Sequence, residues 1–172
     1  MIREIKWQDM GDLIDNYYSY YDELNENNGF GISFYDEKPS YVKEIQWFSD
    51  LYVETISGNA VAVVSEESGK VVGLCEITRL RPKSDMGHIG TLGIAIRKEY
   101  RGKGIGKELL KKALELSEGK FLIVKLEVFT INKVAIQLYK EMGFKEAGVI
   151  PKSIKRGDKF YDIMQMFYDL TK

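Results

Sequence analysis

Between Thr91 and Leu109 the chain reads TLGIAIRKEYRGKGIGKEL: an apolar run, then three glycines at alternate positions among an arginine and two lysines, then an amphipathic helix. With the strand, helix and strands that follow it, this strand, turn, helix order belongs to a mixed α/β sheet with helices on its faces. The turn also carries chemistry. A helix N-terminus leaves backbone N–H groups unpaired and bears about half a positive charge, so a glycine-rich entry favours a phosphate or pyrophosphate. Two phosphate motifs fail here. The P-loop pattern needs glycine where Arg101 stands and Ser or Thr where Glu108 stands, and the dinucleotide G-x-G-x-x-G needs glycine where Lys107 stands.

Charge makes any anion site a local one. Lys and Arg total 25 against 26 Asp and Glu, a formal net charge of -1, which leaves no global basic field for a nucleic acid. One Cys and one His among 172 residues cannot make a disulfide within the chain or build a zinc site, so a reducing cytoplasm is the expected setting. The opening MIREIKWQDM lacks the apolar core of a signal peptide. No window reaches the ~18 apolar residues of a membrane span, and no membrane partner is expected.

No repeat, low-complexity tract or proline-rich linker divides the chain, which predicts one domain over residues 1–172. The expected elements follow from periodicity. A short strand in IREIKW precedes a helix from Met10 to Leu24 and a second helix opening near Pro39 or Ser40. Strands at Ala60 to Ser65 and Lys70 to Leu80 flank a tight turn at Glu67-Ser68-Gly69, and a third runs from Gly87 to Ile96. A helix from Gly104 to Glu118, a strand in KFLIVKLEVFT, and a helix opened by Asn132 and stopped by Gly143 come next. Two strands around Lys155-Arg156-Gly157-Asp158 close the chain.

Arg101-Gly102-Lys103-Gly104-Ile105-Gly106 matches R/Q-x-x-G-x-G/A, and NKVAIQLYKEMGF matches N-x-x-A-x-x-L-Y-x-x-x-G-F. With TLGIAI upstream at the right distance, the span from Val61 to Met166 resembles the GNAT superfamily of N-acetyltransferases, and its C-terminal half is similar to ribosomal-protein alanine N-terminal acetyltransferases. The resemblance implies a mixed α/β fold whose mostly antiparallel sheet is splayed like a V and flanked by about four helices. It also implies acetyl-CoA as donor, with no metal. Ile94, Ala95 and Ile96 would offer backbone groups to the pantetheine arm and the thioester carbonyl. Arg101, Gly102, Lys103, Gly104, Ile105, Gly106 and Lys107 would wrap the pyrophosphate, and Asn132 would touch the cofactor arm besides capping its helix.

By the same resemblance Tyr139 stands where the family's general acid protonates the departing thiolate. The base has three candidates. Glu127 in KLEVF occupies the place of the base proposed in the ribosomal-protein acetyltransferases, Glu76 in LCEIT lies on a neighbouring strand, and His88 is the single histidine. Ile89 to Ile96 carries no acidic residue, a departure from many relatives.

The implied reaction is direct transfer to a primary amine in a ternary complex, with Cys75 not serving as an acetyl carrier. The acceptor is a protein N-terminus or lysine, or else a small amine. Acidic Asp22, Glu23, Glu26, Asp36 and Glu37, with aromatic Phe30, Phe34, Tyr35, Phe160 and Tyr161, are placed to border its cleft. The alternative is a non-catalytic acyl-CoA-binding regulatory module. A homodimer stays open.

Overall fold

The computed structural model describes residues 1–27 and 37–172. Strand β1 (Ile2–Glu4) and a 3-10 turn lead into helices α1 (Met10–Asn27) and α2 (Tyr41–Ile56). Strands β2 (Ala60–Glu67), β3 (Lys70–Arg79) and β4 (Ile89–Ile96) follow, then α3 (Ile105–Ser117), β5 (Ile123–Phe129), α4 (Lys133–Glu141), β6 (Lys145–Arg156) and β7 (Lys159–Asp169). All seven strands join one sheet in the order β1-β2-β3-β4-β5-β7-β6. Every neighbouring pair is antiparallel except β4 with β5.

Side-chain alternation sorts the sheet into two faces. Ala60, Ala62, Val64 and Leu74 form one core with Leu13 of α1 and Phe48 and Leu51 of α2. Val61, Val63, Cys75, Ile77, Val124, Leu126 and Val128 form the other with Leu109, Leu110 and Ala113 of α3 and Ile136 and Tyr139 of α4. Helix α1 is pinned to the start of β3 by polar groups as well: the Val71 N–H donates to Asp12 (2.8 Å) and the Asn16 amide donates to the Val71 carbonyl (2.8 Å).

The expected elements are present, with differences at their ends. The β2–β3 hairpin has a two-residue turn in which Ser68 and Gly69 take φ of 51° and 78°, the pair of left-handed residues that suits the twist of a tight hairpin. Strand β1 stops at Glu4 rather than reaching Trp7, because the Asp9 carboxylate accepts from Arg3 (2.7 and 2.8 Å) and from the Lys6 N–H (2.7 Å), folding the chain into a turn. Helix α1 runs on to Asn27, and β4 begins at Ile89. No helix of the described residues is long and apolar enough to cross a membrane.

Candidate active site

The sheet parts at its centre. Strand β4 pairs with β5 only through Ile89–Ile123, Gly90–Val124 and Thr91–Lys125. Beyond that level β4 stays on β3 as far as Ile96, and β5 stays on β7 as far as Phe129. The remainder of β4, from Leu92 to Ile96, therefore borders a gap.

Backbone direction within that gap follows from one hydrogen bond. The Arg97 N–H donates to the Val72 carbonyl at 2.9 Å, so odd-numbered residues of β4 address β3 and even-numbered ones turn away. Ile94 and Ile96 thus point their backbone groups into the gap, whereas Ala95, opposite Leu74, points its own at β3. The Ile96 carbonyl is engaged by the Arg101 Nε at 2.8 Å.

The glycine turn sits at the open end of the gap. Gly102 and Gly104 hold φ of 74° and 84°, backbone that a side chain would strain, and Gly104 is the N-cap of α3. Among the described residues, the N–H groups of Gly102, Lys103, Gly104, Ile105 and Gly106 have no partner in the protein, and the first N–H groups taken up are those of Lys107 and Glu108, both on the Gly104 carbonyl. Five consecutive free donors at a helix N-terminus form an anion cradle. Lys103 is exposed, its Nζ 5.1 Å from the Tyr100 ring, and Lys107 lies 3.8 Å from Glu141. Ile105 packs on the core beneath.

Arg101 is exposed, but its guanidinium is engaged within the protein. Besides the Ile96 carbonyl it holds Glu23 of α1 through two 2.7 Å bonds, and that pairing keeps the Glu23 carboxyl below the usual carboxylate range. The two residues are 78 apart in the chain, and no local pattern announces their meeting. Asp22 pairs with Lys38 at 2.8 Å. Two of the acidic residues expected along the acceptor cleft are therefore neutralised by cations, and Phe30, Phe34, Tyr35 and Asp36 lie outside the described residues.

Tyr139 is buried in the α3/α4 core, its ring 5.7 Å from that of Phe144. Burial and the nearby Cys75 thiol push its phenol well above the ordinary range. Asn132 caps α4, its Oδ1 accepting from the Ala135 N–H at 3.1 Å. Cys75 is fully buried and its thiol is likewise raised by burial, which removes it as a nucleophile.

The three base candidates occupy different places. His88 is exposed and precedes β4 at its closed end, about 20 Å of strand from Ile94 at ~3.3 Å per residue. Glu127 shares the α1/α2 face and is exposed, with the Gln165 amide donating to it at 3.2 Å. Glu76 lies opposite Gly93, and a Cβ built on Gly93 would stand 3.3 Å from the Glu76 Oε1. The Glu76 carboxyl is thus laid over Gly93 at the level where the strands part. The residue as a whole is half-buried, yet its Oε2 is shielded from solvent with no hydrogen-bond partner, and burial raises its pKa to about 7. Among the described residues no group of three or more His, Cys, Asp or Glu side chains is placed to hold a metal ion.

The model of the acetyltransferase (GNAT) family matches residues 8–144. An uncharacterized N-acetyltransferase of Methanocaldococcus jannaschii is 29% identical over 154 residues, covering 87% of this chain and 62% of its own. The N-alpha-acetyltransferase RimI of Mycobacterium tuberculosis is 35% identical over 88 residues, covering 51% of this chain and 53% of its own. The chain thus spans less than two thirds of the length of these relatives. The structure of a putative acetyltransferase, yncA, from Salmonella typhimurium with acetyl-CoA superposes with a TM-score of 0.84 at 17% identity, over all of this chain and 94% of that one.

Proposed function

Because the chain belongs to the acetyltransferase (GNAT) family, we propose that residues 1–172 form one catalytic domain that moves an acetyl group from acetyl-CoA to a primary amine by direct attack in a ternary complex. The observation that carries this reading is the parting of β4 from β5 beside five unpaired N–H groups. A long, thin donor with amides in its middle and phosphates at one end fits that combination. The pyrophosphate takes the Gly102 to Lys107 cradle, with Lys103 and Lys107 adding charge at its rim. The pantetheine amides pair with Ile94 and Ile96 as an added strand would. Arg101 and Ala95, engaged within the protein, hold this groove in shape, while Asn132 caps α4 through its Oδ1 and keeps its amide nitrogen for the cofactor arm.

The amine nitrogen attacks the thioester carbonyl carbon, the C–S bond breaks, and the thiolate takes a proton from the Tyr139 hydroxyl. A phenol raised by burial is a reluctant acid, but a thiolate leaving into the same apolar surroundings is raised by the same desolvation, so the two remain matched. The N–H of Ile94 or Ile96 is suited to hold the oxyanion. Glu127, exposed on the α1/α2 face, meets the cationic amine on its way in. The acceptor is an amine of a protein or of a small molecule, and similarity to the mycobacterial N-alpha-acetyltransferase favours an α-amino group. The cytoplasm suits the single buried thiol.

The test is thiol release from acetyl-CoA with a panel of peptides and small amines, alongside calorimetric acetyl-CoA binding. Release with at least one amine is expected. Binding without release for any amine identifies a non-catalytic acyl-CoA module instead.

A further inference from the structure

Two buried polar atoms on the α1/α2 face have no hydrogen-bond partner in the protein and stand at the same point of the sheet. One is the Glu76 Oε2, the other the Thr91 Oγ1. Glu76 pairs with Gly93 across β3 and β4, and Thr91 pairs with Thr78, so Thr91 is the diagonal neighbour of Glu76 on one face. Between them is Gly93, which has no side chain, and against it rests the Glu76 carboxyl. Thr91 is also the last residue of β4 paired with β5. A carboxylate and a hydroxyl thus stand on one face of the sheet at the level where β4 leaves β5, each shielded from water and each lacking the partner that a buried polar group requires.

We propose that Glu76 and Thr91 together receive the acceptor amine, and that the Glu76 carboxylate takes the proton which nitrogen must lose. This rests on the acetyltransferase reading and selects Glu76 from the three base candidates Glu127, Glu76 and His88. An amine supplies what both orphan atoms need, one N–H to each oxygen, while its lone pair is left directed into the gap. As the nitrogen–carbon bond forms, the nitrogen passes its proton to Glu76. The C–S bond then breaks, its electron pair leaves with sulfur, and Tyr139 on the opposite face supplies the proton that makes the thiol. Glu76 releases its proton to solvent, and the Tyr139 phenolate takes one up, so amine and thioester become amide and thiol with nothing left over. A carboxyl group whose burial raises its pKa to about 7 is suited to accept and release a proton near neutrality.

The experiment compares wild type, Glu76→Gln, Glu76→Asp and Thr91→Val by steady-state thiol release, with acetyl-CoA affinity and melting temperature measured on each. Glu76→Gln is expected to lose about 10²-fold in kcat with acetyl-CoA affinity unchanged, the range a general base contributes. Thr91→Val, which keeps the shape and removes the oxygen, is expected to raise the acceptor KM about tenfold and to leave kcat within about threefold. An active wild type whose folded Glu76→Gln variant keeps the full rate with chemistry limiting overturns the assignment while the acetyltransferase reading stands. Should Glu76→Gln not fold, Glu76→Asp decides, because a carboxylate withdrawn by one methylene lowers kcat at least tenfold if it is the base, and a full rate there overturns the assignment. A wild type that binds acetyl-CoA and releases thiol with no amine overturns both readings.

Discussion

Replacing Glu76 by Gln is expected to make the protein more stable at pH 8, and the size of the gain follows from the surroundings of the carboxyl. Burial lifts its pKa from the ordinary 4.5 to about 7. The unfolded chain therefore gives up this proton near pH 4.5, while the folded chain keeps it until about pH 7. Across that window the native state binds more protons, so stability falls as pH rises, and above it the loss is constant. At ~1.4 kcal/mol per pH unit the loss reaches about 3 kcal/mol, an upper bound because the side chain keeps some contact with solvent. Glutamine, of the same shape and always neutral, removes the slope. For a chain of this size about 3 kcal/mol corresponds to a rise of about 6 to 12 °C in Tm at pH 8, shrinking towards zero near pH 4.5. Calorimetric melts of both proteins at half-unit steps from pH 4.5 to 8 measure it, and the difference between the curves cancels every other titrating group. A difference in Tm that does not grow with pH, or a Gln variant less stable at pH 8, would refute the reasoning.

Gly104→Asp places bulk and negative charge on a residue held at φ 84° beside the free N–H groups, so acetyl-CoA affinity should fall at least tenfold by calorimetry, and unchanged affinity in a folded variant removes the pyrophosphate assignment. Tyr139→Phe keeps the ring that packs on Phe144 at 5.7 Å; turnover should drop about 10²-fold with affinity and melting temperature preserved, and a wild-type rate with chemistry limiting makes Tyr139 a packing residue only. Glu23→Gln breaks an ion pair whose arginine side is 44% exposed, so the loss should stay within about 1 kcal/mol, and a drop in Tm beyond about 5 °C would show that Glu23 carries more of the fold than solvent screening allows.

Much of this architecture is legible in the residues because it is set by local rules. The left-handed turn at Ser68-Gly69, the Gly104 and Asn132 caps and the stripe of Leu109, Leu110 and Ala113 are each decided within a few positions of the chain. The glycine turn is local too, with Gly102 and Gly104 at φ of 74° and 84°. What stays hidden depends on strands meeting across the sheet. Nothing in LCEIT tells that Glu76 rests on Gly93, or that KLEVF leaves Glu127 in solvent. The site's internal geometry is equally non-local. Ile94, Ala95 and Ile96 read as three equivalent donors until the Arg97–Val72 bond divides them by parity. Arg101, a motif arginine beside the free N–H groups of the glycine turn, is paired with Glu23, 78 residues away in the chain.

The three residue pairs that join β4 to β5 have a mechanical consequence. They act as a hinge between two half-sheets, one of four strands and one of three, whose remaining union depends on side chains packed beneath α3 and α4. An edge of unpaired backbone is ordinarily an invitation to any passing strand. Here that edge faces a diverging neighbour, which leaves the outward backbone groups of Ile94 and Ile96 without a strand to pair with. A guest that bonds to Ile94 and Ile96 serves as the missing ladder for the length of its stay. On the proposed reading, the exchange of the Ile94 and Ile96 amide protons with solvent should slow when the donor is bound and quicken when it leaves.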